Sequence, residues 1–387
     1  MNILYDYQAF FYQTHGGVSN CFAQLLDNMP STVNFTVGVK ECENVHLINK
    51  EFCPKIKPIP KILKGLMSQF KFSGGGFLYR NAKGGIKMKL SSRHRNRKYC
   101  IELLKSRKFD VFHPTYYSGY FLNHIGKTPF VITIHDMIHE LYPNCFGLDG
   151  KMIVAQKKQL AQKAAHIIAV SQNTKNDIID ILKIPESKIS VVWHGAPENP
   201  EPTTNPKPIV EGRYILFVGA RKNYKNFAPF VTQFAKIAAE HKDLRLVCTS
   251  NDFSKQEIAL FQQLGITNRV GRIFANSSEM QNLYANSQCL VFPSLYEGFG
   301  IPILEAYKAQ CPVLLNKKSC FPEIAGDAAI YFTMDEQKND FYEVMTNFLN
   351  YTPQQRQKLI ENQNNRLKLF SWKNSAQKLT EIYSGLL

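Results

Sequence analysis

The sequence predicts an α/β protein of two domains, each built on a parallel sheet, and three observations carry that prediction. The chain has 387 residues, enough for two separate hydrophobic cores. Short apolar runs that read as buried strands alternate with segments of helical spacing from end to end. Between the halves lies GAPENPEPTTNPKPIVEG, with five prolines from Pro197 to Pro208, which no regular element accommodates.

In the first half, strands are expected at NILYDY (2–7), FTVGV (35–39), DVFHPT (110–115), FVITIH (130–135), HIIAVS (166–171) and ISVVWH (189–194), with helices near 18–28, 93–107, 151–165 and 173–183. In the second half, strands are expected at YILFVGA (214–220), RLVCTS (245–250), VGRIF (270–274), QCLVFPS (288–294), PVLLN (312–316) and AIYF (329–332). Helices near 225–240, 254–264, 278–286, 302–310 and 335–349 separate them. The pattern is Rossmann-like in both halves. Two such domains facing each other across a hinge place ligands at the carboxyl ends of the strands, in a central cleft.

Net charge is +16, and it is local: from Lys50 to Lys108 there are 17 Lys or Arg against Glu51 and Glu102, so this segment alone carries +15. Clustered cations call for an anionic partner, such as an acidic membrane surface or a phosphorylated substrate. Within the segment, PKILKGLMSQFKF (60–72) sets Ile62, Leu63, Leu66, Met67 and Phe70 near one helical face with lysines beside it. That pattern fits an interfacial helix and fits equally a stripe packed on the core. Nucleic acid is disfavoured, because SRHRNRKY has little aromatic interleaving and no RNA-module motif. No segment resembles a signal peptide or a membrane span, so the protein is expected in the cytoplasm. Nine scattered cysteines, without a C-x-x-C pair, read as reduced thiols there.

The candidate site centres on EGFGIPILE (297–305). A buried strand precedes it and a helix with Pro302 in its first turn follows, which makes the unit strand, glycine loop, helix. Gly298 and Gly300 admit a ligand to the backbone, and the first helical turn offers unpaired N–H groups to an anion. Glu297 lies in the loop and Glu305 near the end of the first turn. Carboxylates beside a phosphate suit sugar or ribose hydroxyls, which donate hydrogen bonds to them. The spacing alone also fits a surface loop acid and a helix-dipole acid.

Several nucleotide signatures are missing. No G-x-G-x-x-G follows the first strand, and GKT at 126–128 has Phe121 where a P-loop needs Gly. No D-x-D occurs, so a metal-held diphosphate is not expected and organic cations must neutralise it. After YILFVGA, Arg221 can fork across phosphate oxygens and Lys225 can act as a point charge. Gly16 and Gly17 precede a helix at the end of strand one, where backbone N–H groups can face a phosphate or sugar. His135 and Asp136 follow directly on a buried-looking strand; His135 with His139 alone is weak evidence for zinc.

Together these residues resemble a retaining, nucleotide-sugar-dependent glycosyltransferase of family 4, with the GT-B fold. The resemblance runs from HGGVSNCFAQLL through ITIHDMIHELYP, AVSQNTKNDI, VVWHGAPE, FVGARKNYKNF and FPSLYEGFGIPILEA to FSWKNSAQKLTEIY, and Glu297 and Glu305 match the family's E-x7-E motif. It implies an N-terminal acceptor-binding domain at 1–198 with 371–387 packing back on it, a linker at 199–212 and a nucleotide-sugar-binding domain at 213–370.

The resemblance also implies roles. Glu297 contacts hydroxyls of the transferred sugar and favours positive charge at its anomeric carbon, while Glu305 binds the ribose. Arg221 and Lys225 neutralise the diphosphate, with backbone help from Gly16, Gly17, Gly300 and Ile301, and Lys222 could replace either cation. His135 hydrogen-bonds the donor sugar or the acceptor hydroxyl. The base lies near Ala275 and Asn276, and His194 is structural. No cofactor beyond a UDP- or GDP-hexose donor and no metal is expected. The acceptor is a glycan, lipid-linked at an acidic membrane surface that residues 50–108 engage, or alternatively a small sugar or phospho-sugar in solution. The transfer is a same-face displacement or a double displacement through Glu297.

Overall fold

The structure is a computed structural model that describes residues 1–48, 50–53, 56–57, 86–197 and 207–387, with residues 86–91 as backbone only. The expected interfacial helix at 60–72 lies outside the described residues, as does most of the proline-rich linker. The chain divides into two compact units, Met1–His194 with Trp372–Leu387, and Gly195–Ser371.

The first unit is built on β1 (Asn2–Tyr5), β2 (Asn34–Val37), β3 (Val111–His113), β4 (Val131–Ile134), β5 (His166–Ala169) and β6 (Ile189–Val191). All its strand pairs are parallel, in the orders β2-β1-β3 and β4-β5-β6. A parallel bridge from Phe112 to Phe130 joins the two into one run. Every residue of β4 is buried, which is why VITI is continuously apolar and does not alternate. Its helices are α1 (Gln8–Tyr12), α2 (Gly17–Asp27), α3 (Ile86–Lys105), α4 (Ile138–Leu141), α5 (Gly147–Lys163) and α6 (Gln172–Leu182). Ser171 starts α6 by accepting the Thr174 N–H at 3.0 Å.

The second unit contains β7 (Tyr214–Phe217), β8 (Arg245–Thr249), β9 (Val270–Ile273), β10 (Cys289–Phe292), β11 (Val313–Asn316) and β12 (Ile330–Phe332). They form one parallel sheet in the order β12-β11-β10-β7-β8-β9. The chain moves outward from β7 to β9, then returns to the other side of β7 and moves outward again from β10 to β12. The sheet is therefore doubly wound, and its direction switches between β7 and β10. Around it lie α7 (Phe227–Glu240), α8 (Lys255–Gln263), α9 (Ser277–Asn286), α10 (Ile301–Lys308), α11 (Phe321–Ala325), α12 (Phe341–Leu349) and α13 (Pro353–Leu367). On α7, Phe227, Phe230, Val231, Phe234, Ile237 and Ala238 make one apolar stripe that is buried on the sheet.

Two helix expectations need correction. The helix expected at 335–349 begins only at Phe341, because the Asp335 side chain accepts the Gln337 and Lys338 N–H groups at 2.9 Å each and holds a turn. The helix expected from 225 begins at Phe227, because Asn226 takes a left-handed conformation at φ 56°.

The last helix, α14 (Trp372–Ser384), belongs to the first unit. Its Tyr383 hydroxyl lies 2.7 Å from the Tyr5 hydroxyl and 2.5 Å from His113 Nδ1, while His113 Nε2 lies 2.9 Å from Thr133 Oγ1. Trp372 packs beside His194, their ring centroids 5.6 Å apart. Burial holds both imidazoles down at about 3, so they are neutral at ordinary pH.

Candidate functional site

The switch in strand direction opens a crevice outside the carboxyl ends of β7 and β10, because the loops leaving those strands run to opposite sides. Residues 218–226 supply one loop and residues 293–300 the other. The two are stitched by the Leu295 N–H, which donates to the Tyr224 carbonyl at 2.8 Å. Lys225 ends a short 3-10 turn (Asn223–Lys225) and Glu297 sits in the facing loop. Lys225 Nζ meets Glu297 Oε1 at 2.5 Å, with the two side chains only 12% and 15% exposed. The same ammonium lies 5.1 Å from the centre of the Phe292 ring.

The backbone beneath this pair is fixed by side chains that carry no recognisable motif. Ser319 Oγ donates to the Glu297 carbonyl at 2.7 Å and accepts the Glu297 N–H at 3.2 Å. Buried Asn316 donates to the carbonyls of Pro293, Ser294 and Met334 and accepts the Met334 N–H at 3.0 Å. Asn226, buried at the start of α7, donates to the same Met334 carbonyl at 2.9 Å. Loops from four strands are thus tied to each other below one ion pair. Sequence reasoning missed Asn226, Asn316 and Ser319, because their partners lie up to 108 residues away.

Glu305 is on α10, where Tyr284 of α9 donates a hydrogen bond to its Oε2 at 2.8 Å. Burial raises the Glu305 carboxyl and the Tyr284 hydroxyl pulls it back down. Gly300 caps α10 at φ 90°, a left-handed conformation, and a Cβ there would stand 3.0 Å from Ile303 Cδ1. Ile301 is the first residue of the helix.

The structure gives the two expected cations different partners. While Lys225 meets Glu297, Arg221 turns to Glu257 of α8 at 2.6 Å and donates to the carbonyls of Thr249, Asn251 and Asp252. The rings of Phe253 and Phe227 flank its guanidinium at 4.7 and 5.6 Å. Glu257 does two jobs, since its other oxygen accepts the Ser254 N–H in the capping box that starts α8. Asn276, in the loop expected beside a base, caps α9 by accepting the Glu279 N–H at 3.0 Å.

Gly16, Gly17 and His135 belong to the first unit. A Cβ on Gly16 would collide with the Gln13 side chain, whose Oε1 accepts the Ser19 N–H of α2 at 2.9 Å. Gly17 is exposed with open space around it. The His135 ring is stacked on His194 at 6.0 Å and edged by Phe22, and burial lowers it to about 4. The His135 backbone N–H donates to the Tyr117 hydroxyl at 3.2 Å, and buried Lys157 donates to the next carbonyl, that of Asp136, at 2.9 Å. Asp6, at the end of β1, is buried and accepts from Thr115 and Gln8, tying the loops after β1 and β3 together. Among the described residues no helix is long and apolar enough to cross a membrane.

A cation and a carboxylate at a doubly wound switch point, with a glycine-capped helix beside them, can hold a phosphate and a polyol at once. Comparison with known proteins gives the class of protein. The profile of the group 1 glycosyl transferases matches residues 203–366, and that of glycosyltransferase family 4 matches residues 78–199. The chain carries the sequence profiles of these two glycosyltransferase groups, one in each half, and has the GT-B fold. It is 28% identical over 242 residues to an uncharacterized glycosyltransferase of Methanocaldococcus jannaschii, covering 58% of this chain and 62% of that one. It is 27% identical over 213 residues to the O-antigen chain mannosyltransferase RfbU of Salmonella typhimurium, covering 54% of this chain and 58% of that one. The chain therefore spans about three fifths of the length of these curated relatives. Its fold is similar to that of Anabaena HepE, crystallised with UDP and glucose, at a TM-score of 0.70, 14% identity and 99% coverage of each chain.

Proposed function

We propose that the chain is a retaining hexosyltransferase that moves a hexose from a UDP- or GDP-sugar to a lipid-linked glycan in surface polysaccharide or lipopolysaccharide synthesis. The Lys225–Glu297 pair at the switch point carries this reading, because it joins the group that would hold sugar hydroxyls to the one that would hold the diphosphate. The likeness to an O-antigen mannosyltransferase supports a hexose donor and a surface glycan product.

In this reading Lys225 exchanges Glu297 for the donor diphosphate. Glu297 then accepts from hydroxyls of the transferred sugar and stabilises positive charge at the anomeric carbon. The bond from the anomeric carbon to the phosphate oxygen breaks as the acceptor oxygen bonds on the same face. The acceptor's proton passes to the departing phosphate, whose charge Lys225 and Arg221 neutralise. Glu305 holds the ribose, and the N–H groups about Gly300 and Ile301 face the diphosphate. Gly16, Gly17 and His135 serve the donor and acceptor from the first unit. The chain's own cations replace a metal, and the basic segment at 50–108 meets the acidic inner face of the cytoplasmic membrane.

The test is a panel of UDP- and GDP-hexoses in the presence of a chelator, read by nucleotide release and by melting temperature. One donor should be consumed and should raise Tm by mass action. Dependence on added manganese would remove the metal-free mechanism, and no effect of any donor would remove the assignment.

A further inference from the structure

The first unit has a switch point of its own, between β1 and β3, where the chain leaves in opposite directions. The two loops there each present a tyrosine: Tyr12 ends α1 after β1, and Tyr116 follows β3. Their rings lie 6.5 Å apart, edge to face, and Tyr12 remains 46% exposed whereas Tyr5, Tyr7 and Tyr117 of the same unit are buried. Over this edge lies α3. Arg93 and Arg97, one turn apart on that helix, are both exposed. The Arg93 guanidinium stands 5.4 Å from the centre of the Tyr12 ring, and that of Arg97 stands 5.7 Å from the centre of the Tyr120 ring.

The other cations of α3 are used differently. Arg95 makes a forked pair with Glu41 at 2.7 Å, and Lys98 reaches Glu102 at 3.9 Å. Arg93 and Arg97 have no carboxylate partner among the described residues. Asp6, the buried acid at the end of β1, already accepts from Thr115 and Gln8. Two guanidinium groups are thus held by tyrosine faces at the place where a doubly wound sheet binds ligands, with no carboxylate against them among the described residues. Tyrosine faces suit the C–H side of a sugar ring, and paired guanidinium groups suit phosphate oxygens.

We propose that Arg93 and Arg97, with Tyr12 and Tyr116, form a phosphoryl-binding subsite for the acceptor. The ligand is a sugar bearing a phosphate or diphosphate at one end, and Arg93 and Arg97 bind that end. This rests on the glycosyltransferase reading and adds the acceptor's chemistry to it. The phosphoryl group comes either from a soluble sugar phosphate or from a lipid that carries one.

The test uses the full chain saturated with UDP, so that the second unit's phosphate-binding groups are occupied. Glucose 1-phosphate is titrated calorimetrically against wild type and Arg93→Gln/Arg97→Gln, with glucose as the uncharged control. In parallel, both proteins are pelleted with phosphatidylcholine vesicles with and without phosphatidic acid. Loss of glucose 1-phosphate affinity by at least about tenfold in the variant supports a soluble acceptor. Unchanged glucose 1-phosphate binding, with loss of binding to the phosphatidic acid vesicles alone, supports a lipid source. Equal behaviour of the two proteins in both assays, or equal losses for glucose and its phosphate, overturns the proposal. Both side chains are exposed, and a matching Tm shows that the variant is folded. Consumption of the nucleotide sugar without acceptor, measured in the same variant, reports on the second unit separately. Its absence in wild type would count against the enzyme assignment, and its presence with no arginine effect counts against the subsite alone.

Discussion

Lys225 Nζ and Glu297 Oε1 meet at 2.5 Å in the crevice between the loops of β7 and β10, so the carboxylate and the cation neutralise each other there. Anything that draws Lys225 away leaves Glu297 without its ion-pair partner beside the newcomer. Lys225→Met and Glu297→Gln should each abolish or nearly abolish transfer. With both side chains largely buried, each should cost about 1–3 kcal/mol of stability, between the limits for exposed and buried pairs. The double variant should lose less than the sum of the two, because no charge is left alone. Denaturant titration of the four proteins measures this, and strict additivity would show that the pair contributes nothing.

The contact between Tyr284 and Glu305 makes a separate prediction. Burial raises this carboxyl and the Tyr284 hydrogen bond lowers it, so Tyr284→Phe should raise it further. A protonated Glu305 is a poorer acceptor for a ribose hydroxyl. The donor KM of Tyr284→Phe should therefore begin to climb at a higher pH than in wild type as the solution is acidified. Donor KM measured from pH 5 to 8 decides it, and coincident profiles would dissociate Glu305 from donor binding.

Gly300→Ala tests the helix entry. At φ 90° a side chain costs roughly 1–2 kcal/mol, and its Cβ would press on Ile303. The first turn of α10 should shift, with a raised donor KM and a Tm lowered by a few degrees. A fall in Tm with unchanged donor KM would place the α10 N-terminus outside the binding site.

Acid should weaken the first unit through its histidines. His113, His135 and His194 titrate near 6.5 when unfolded, but burial lowers them to about 3, 4 and 3 in the fold. Below pH 6.5 the unfolded chain therefore binds protons that the folded unit refuses, and stability falls as pH falls. Each histidine adds a slope of up to about 1.4 kcal/mol per pH unit, continuing down to its folded value. His194→Asn should flatten the dependence of unfolding free energy on pH between 6.5 and 4. An unaltered slope would mean that His194 is not buried in the folded protein.

How much of this was legible in the sequence follows from burial. Strands such as β7 and β10 are covered on both faces, so YILF and CLVF appear as unbroken apolar runs and the strand series could be read directly. Helix α13 went unread although Thr352, Pro353 and Gln355 spell a capped start, because only Leu359 and Gln363 along it are buried and its apolar period is faint. Lys225 and Glu297 could be nominated from local grammar, strand then loop then helix. That they touch is a fact of strand order, since β7 and β10 become neighbours only after β8 and β9 have been placed on the far side. Arg221 shows the same limit. Its partner Glu257 was hidden inside an ordinary capping signature 36 residues later.

The last helix closes the first unit around Tyr5 and His113, yet the whole second unit intervenes before it in the chain. During synthesis, the first 194 residues leave the ribosome long before Tyr383 exists. For that interval the Tyr5–His113 face has no lid, and α2 lies with its apolar side bare where α14 will pack. The two units must then mature in reverse order: the one made second can finish first, because all its residues are contiguous. A nascent chain stalled before α14 should consequently be recognised by chaperones through its N-terminal half, and a released chain should shed them in one step when Trp372 and Tyr383 dock.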